Sequence, residues 1–285
     1  MHLSAVAGSK LLDSDGDQLG RVSDLVAWLD SGASLPPLAG LKVRIGGRDL
    51  FVPIGQIASL EPSAVRSSTT KLNLARFQRR PGEVLLRGDL LGRSLIDMNT
   101  ARLVRAHEIE LVYEQGSWRV AGIDASLRAR LRQMLPSQLR SDVGMPTRFM
   151  AWSELEPFLG HVPSSRLRLS PRRLARLHPA QIADLVEAAS HDQGEEILNA
   201  VEQDWDLEAG VFEELDDEHR VEFLRERSDA KVAALLAELS SDDATDLLMQ
   251  LDQRRRIPVL NLLSTENAPK FASYSATTPR PPAGS

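Results

Sequence analysis

A twelve-residue rhythm in the C-terminal part of the chain constrains its fold more than any other feature. Asp192, Asp204, Asp216, Ser228, Ser240 and Asp252 fall twelve apart. Each is a residue type whose side chain can accept a hydrogen bond from an unpaired amide of a first helical turn, worth on the order of 1 kcal/mol. Leucines keep the same period, at 224, 236, 248 and 260 and again at 239, 251 and 263. The rhythm is firm from about residue 216 and looser before it, where Gly210 is expected to interrupt. Twelve residues per repeat leave about eight or nine for a helix, roughly 13 Å long. Helices that short are marginal alone, so they must stack, as solenoids do. The expectation is an all-α superhelix of seven or eight short helices over residues 170–264.

Charge separates this part from the rest. Residues 1–168 hold 22 Lys/Arg and 17 Asp/Glu, a net of +5, and residues 169–285 hold 12 and 23, a net of −11. Such a split marks two domains with different surfaces. The acidic half should repel nucleic acid, so no DNA partner is expected, and it should attract cations.

The C-terminal half resembles the intracellular N-terminal domain of MgtE-type magnesium transporters. The resemblance rests on Leu177-His178-Pro179-Ala180, on the cap rhythm, on the segment Ala233 to Leu239, and on Ser240 to Leu248 with its Asp242, Asp243 and Asp246. It implies a superhelix whose acidic face meets acidic CBS domains, with bound magnesium joining the two. On that resemblance Asp242 and Asp246 carry the metal role, with Asp243 beside them, in a weak site shared with the partner. The partner implied is a CBS pair, in a part of the protein outside this sequence or on another subunit, a homodimer included. In the family a Tyr-containing connector leads onward. Here Ser273 to Thr278 begins it and Pro279 to Ser285 departs, so a piece of a longer protein, or one lacking its CBS half, is expected. Residues 265–285 read as a disordered tail.

The aspartates also have an ordinary reading. Asp242 and Asp246 are i, i+4 neighbours on one helix face. Ser240 and Asp243 have capping-box spacing, and acidic residues in a first turn complement the helix dipole. Magnesium prefers one or two carboxylates and keeps most of its waters, so both readings stay open. A second acidic run, Glu213, Glu214, Asp216, Asp217 and Glu218, reads as a solvated helix junction or as part of the same acidic surface.

The first half reads as β. Asp15-Gly16, Gly46-Gly47 and Gln115-Gly116 suit tight hairpin turns, and Leu41 to Ile45 alternates with period two. The Asp13-x-Asp15-x-Asp17 spacing lacks the glycine and glutamate positions of a calcium loop and reads as a turn. The segment Gly8 to Asp13 matches Gly92 to Asp97 at an offset of 84, which points to two copies of one unit, about 3–62 and 84–126. This half resembles PRC-barrel domains through Gly8, Leu11, Leu12, Asp13, Asp15, Gly16, Gly20, Val22, Asp24 and Leu25. The fold class expected is therefore multidomain α+β, a small duplicated PRC-barrel-like β-barrel over 1–126 followed by the superhelix. Residues 127–169 read as a linker with a short basic amphipathic helix from Ser126 to Leu135.

Catalysis finds no support. The chain has no cysteine, which excludes disulfides and thiolate sites. The six histidines lack zinc-ligand spacing, and no phosphate-binding loop or nucleophile elbow is present. No apolar run reaches the length of a membrane span and the start lacks a signal-peptide pattern. A non-enzymatic, cytoplasmic regulatory or adaptor protein is expected. The alternative is a protein- or RNA-binding scaffold without ion sensing, in which Arg79, Arg80, Arg128, Arg130 and Arg132 would meet phosphate.

Overall fold

Glycine pairs and Asx turns place the first strands. A computed structural model describes residues 1–29, 33–62, 64–72, 75–126, 149–162 and 168–263. Strand β1 (Lys10–Leu12) turns into β2 (Gln18–Trp28) through Asp13. The Asp13 Oδ1 accepts the amides of Asp15 at 3.0 Å and Asp17 at 2.8 Å, and Gly16 sits at φ 96°. The aspartate is therefore the organiser of a turn. Strands β3 (Leu38–Ile45) and β4 (Arg48–Pro53) are joined by Gly46-Gly47, both at positive φ. Such a turn matches the twist of the strands it connects.

The chain divides into two units, Met1–Ser170 and Pro171–Ser285. In the first, a sheet runs in the order β5 (Ile57–Glu61), β6 (Ala64–Ser67), β1, β2, β3, β4, β7 (Ala75–Arg76), and β8 (Glu83–Leu85) pairs the end of β2. Two three-stranded sheets follow. One has the order β10 (Arg102–Arg105), β9 (Ser94–Asp97), β14 (Leu155–Pro157). The other has β11 (Glu108–Glu114), β12 (Ser117–Asp124), β13 (Phe149–Ala151). None of these sheets closes among the described residues, so the β-rich character expected is present and a closed barrel is not shown. The core of this unit includes Leu11, Leu25, Leu41, Leu95, Ile109 and Ile123.

One expectation for this half needs correction. Residues 149–162, read as linker, supply β13 and β14, a 3-10 turn (Trp152–Glu154) and core residues Trp152, Leu155, Leu159 and Val162. Strands of three residues, the second of them ending in Pro157, carry too little periodicity to be seen in sequence. The helix expected over Ser126 to Leu135 lies almost wholly outside the described residues, as does the tail from 264.

The 84-residue offset recurs in hydrogen bonds. The Gly8 amide donates to Val22 O at 2.8 Å and the Gly92 amide to Ala106 O at 2.6 Å. Buried Asp24 accepts the amides of Arg87 (2.8 Å) and Gly88 (2.9 Å) at a π-helical turn, Leu86–Leu90. Buried Glu108 accepts the amide of Ser4 (3.1 Å) in α1 (Leu3–Val6). Ser4 and Gly88, like Asp24 and Glu108, are 84 apart. Two carboxylates 84 residues apart therefore cap two turns that are themselves 84 residues apart.

The second unit holds, among the described residues, α2 (Pro171–Leu174), α3 (Pro179–Ala188), α4 (His191–Val201), α5 (Trp205–Glu214), α6 (Asp217–Glu226), α7 (Asp229–Glu238), α8 (Ser241–Gln250) and α9 (Gln253–Leu262). From α5 onward the helices start twelve residues apart, and their caps are Asp204, Asp216, Ser228, Ser240 and Asp252. Helices α3, α5, α7 and α9 pack each on the next, with α4 set against α3 and α5 and α8 against α7 and α9. The inward side chains include Ile182, Leu198, Phe212, Leu224, Leu236 and Leu248.

The rhythm slips once. Helices α4 and α5 start fourteen residues apart, so the cap of α4 is Ser190 and Asp192 lies inside the first turn. Gly210 does not interrupt a helix. It sits within α5, and a Cβ there would stand 3.0 Å from Pro179 Cγ. The glycine marks where the start of α3 crosses α5.

Candidate functional site

The three candidate aspartates occupy α8, whose inner face is set by Ala244, Thr245, Leu247 and Leu248, all buried. Four such positions at helical spacing turn Asp242, Asp243 and Asp246 outward, and all three are exposed. Their roles divide. The Asp243 amide donates to Ser240 Oγ at 3.2 Å, and that hydroxyl donates to the Asp243 carboxylate. Asp243 is thus spent on the helix start. Asp242 and Asp246 have no hydrogen-bond or ion-pair partner among the described residues. They share one outer strip with Met249, which is 55% exposed.

Among the described residues no group of three or more metal-ligating side chains converges. A protein cage for an ion is therefore not built here. Two outward carboxylates one turn apart suit a magnesium ion that keeps most of its water shell.

The second acidic run lies at the α5–α6 junction. Asp216 caps α6 through the His219 amide at 2.8 Å. That amide and the His219 ring hold its carboxyl below the usual range. Asp217 Oδ1 accepts the amide of the Gln250 side chain at 2.9 Å, tying the end of α8 to the start of α6.

Sequence reasoning missed two clusters. Glu208 of α5 and Arg227, just past α6, form an ion pair at 2% and 8% exposure, and the guanidinium lies 4.8 Å from the centre of the Phe212 ring. Burial pushes the Glu208 carboxyl up. The second cluster is His191 in the first turn of α4. Its Nε2 lies 3.1 Å from Glu226 and its Nδ1 lies 2.8 Å from Glu222, both on α6. The Glu226 contact has hydrogen-bond alignment and the Glu222 contact does not. The ring stacks on Phe223 at 5.2 Å, and His219 stacks on the same ring at 6.5 Å. The hydrogen bond with Glu226 raises the His191 pKa. Its partners are more than thirty residues away, so no local spacing could reveal it. His178 does what its position suggests, capping α3 through Nδ1.

The arginines of the scaffold alternative are engaged within the first unit. Arg79 makes a two-pronged ion pair with Asp89 at 2.7 and 3.0 Å. Arg80 pairs with Glu83 at 3.1 Å and lies over Phe51. Arg128, Arg130 and Arg132 fall outside the described residues.

The family model described as the MgtE intracellular N domain matches residues 177–275. The match covers the helical stack from the residue before the α3 cap, with α8 inside it, and none of the first unit. No curated protein matches the chain. Among the described residues no helix is long and apolar enough to cross a membrane.

Proposed function

We propose that the chain is a cytoplasmic, non-enzymatic regulatory or adaptor module of MgtE-type magnesium transport. In this reading its helical stack offers one acidic wall of a magnesium site, and a CBS-domain partner supplies the other. One observation carries the assignment. Within the family match, Asp242 and Asp246 point outward from α8 and are without a partner among the described residues, while their neighbour Asp243 is committed to the cap. Facing carboxylates repel by roughly 1 kcal/mol at 4 Å in water, and more where water is excluded. A dication supplies the charge that turns this repulsion into attraction. A state that brings the two walls together would then bind the ion more tightly than an open one, which is the requirement for coupling. Asp242 and Asp246 hold the ion in this scheme, and Asp243 orients the helix start.

The first unit is read as two copies of a PRC-barrel-like unit that dock reciprocally. The support is the recurrence of Gly8, Asp24 and Ser4 contacts at the 84-residue offset. The RNA-binding alternative is weaker, because Arg79 and Arg80 already have acidic partners.

Calorimetry of the chain titrated with magnesium, alone and with a CBS-domain pair present, tests the reading. Weak binding alone and clear binding with the pair are expected. Equal and negligible heat in both removes the ion-sensing function.

A further inference from the structure

The join between α4 and α6 is looser in backbone than those of the α3–α5–α7–α9 row, a looseness that α6 shares with α8. Helices of the α3–α5–α7–α9 row bring their backbones close together, whereas α4 and α6 stand further apart and meet through side chains. Phe223 fills the gap, lying against Gly194 of α4, where an added Cβ would come within 2.6 Å of the ring. His191 lies flat on the other part of that ring, 4° from parallel, with its two nitrogens beside Glu222 and Glu226. This contact spans the point where the repeat slips from twelve residues to fourteen, between α4 and α5. A seam held by side chains rather than by close backbones has fewer contacts to lose, which lowers the cost of opening it locally.

We propose that His191 is a proton-controlled latch: its imidazolium clamps α4 to Glu222 and Glu226 of α6, and its neutral form loosens that hold, so that α4 opens locally more readily. The inference is independent of the magnesium reading. A neutral ring keeps one donor and stays stacked on Phe223. The imidazolium carries a proton on both nitrogens, one hydrogen-bonded to Glu226 and the other beside the charge of Glu222. The charges nearest the ring agree in sign, Glu226 and Glu222 from α6 and Glu195 one turn along α4. Glu195 also leaves one buried oxygen without a hydrogen-bond partner. Across Phe223 stands His219, itself held by Asp216. The other helices packed on α4 carry Arg172 and Arg173 on α2, Asp184 and Glu187 on α3, and Asp206, Glu208, Glu213 and Glu214 on α5. Of these, Glu187 is bonded to the Asp216 amide and Glu208 to Arg227.

The direction follows by linkage. A histidine whose folded pKa is raised adds stability that is fully present below its ordinary value of 6.5 and is lost as pH rises through the higher folded value. The latch is therefore closed in mildly acidic solution and open in mildly alkaline solution.

Hydrogen exchange of the full chain at about pH 6 and about pH 8, corrected for intrinsic rates, tests it. Protection of α4 should fall about 1.5- to 5-fold more than that of α8, the range an exposed ion pair spans. His191→Gln should remove that difference. Because the variant could unfold the seam, the ring proton of His191 is also followed by NMR. Its midpoint should lie above 6.5 and move down in Glu226→Gln. A midpoint at or below 6.5, or α4 protection with the same pH dependence in His191→Gln, would overturn the latch.

Discussion

Asp24 accepts three backbone amides, from Leu25, Arg87 and Gly88, while lying 5% exposed. Burial pushes its carboxyl up and the three amides pull it back. Asp24→Ala strands those donors, and a buried unsatisfied donor costs about 1–3 kcal/mol. Chemical denaturation should show the first unit losing about 3 kcal/mol, with α8-centred properties unchanged. Glu208 and Arg227 make a similar case in the second unit. Arg227→Leu leaves a carboxylate buried without its counter-charge and should cost about 3–5 kcal/mol, and adding Glu208→Leu should return most of it. Glu208 is raised even beside its arginine, so its ionisation opposes folding. That contribution favours the fold below its ordinary 4.5 and is lost as pH rises through the raised value. Asp24 was visible in sequence only as part of a resemblance and the Glu208–Arg227 pair not at all, because each depends on a partner brought in by tertiary packing.

At the scale of elements, the helical rhythm was legible because caps and leucines are local signals. Asp204 through Asp252 cap helices as their spacing says. The error at Asp192 has a single cause, the two extra residues before α5, which carry a twelve-residue count back to 192 when the helix is capped at 190. Caps should behave alike, so Ser228→Ala should cost about 1 kcal/mol. Glycines should not. Replacing glycine by alanine inside a helix ordinarily gains up to about 1 kcal/mol. Gly194→Ala should instead destabilise by about 1–3 kcal/mol, since the methyl group meets Phe223. A stabilised variant in thermal unfolding would contradict the packing described at the α4–α6 seam. In the first unit the hairpins at Gly46-Gly47 and Gln115-Gly116 were legible from their turn residues. Strands β5, β6, β7, β8, β13 and β14 were not. They are two to five residues long, and several pair with strands distant in sequence, as β9 does with β14.

For the whole molecule, the division into a β unit and a helical unit follows from composition and period, and the family match coincides with the helical unit. The closed barrel did not follow, since closure depends on which edges meet, and local alternation carries no information on that. The candidate site was legible in part. Spacing placed Asp242 and Asp246 on one outer face, and the capping pair took Asp243 away from them. The measurement that bears most directly on the account is magnesium-dependent association of the full chain with a CBS-domain pair, compared between the native sequence and an Asp242→Asn, Asp246→Asn double variant. Both substituted positions are exposed, so the variant should keep its thermal stability. The native chain should associate more tightly as magnesium is added, and the double variant should lose that dependence. Association that ignores magnesium, or that responds equally in both proteins, would contradict the account.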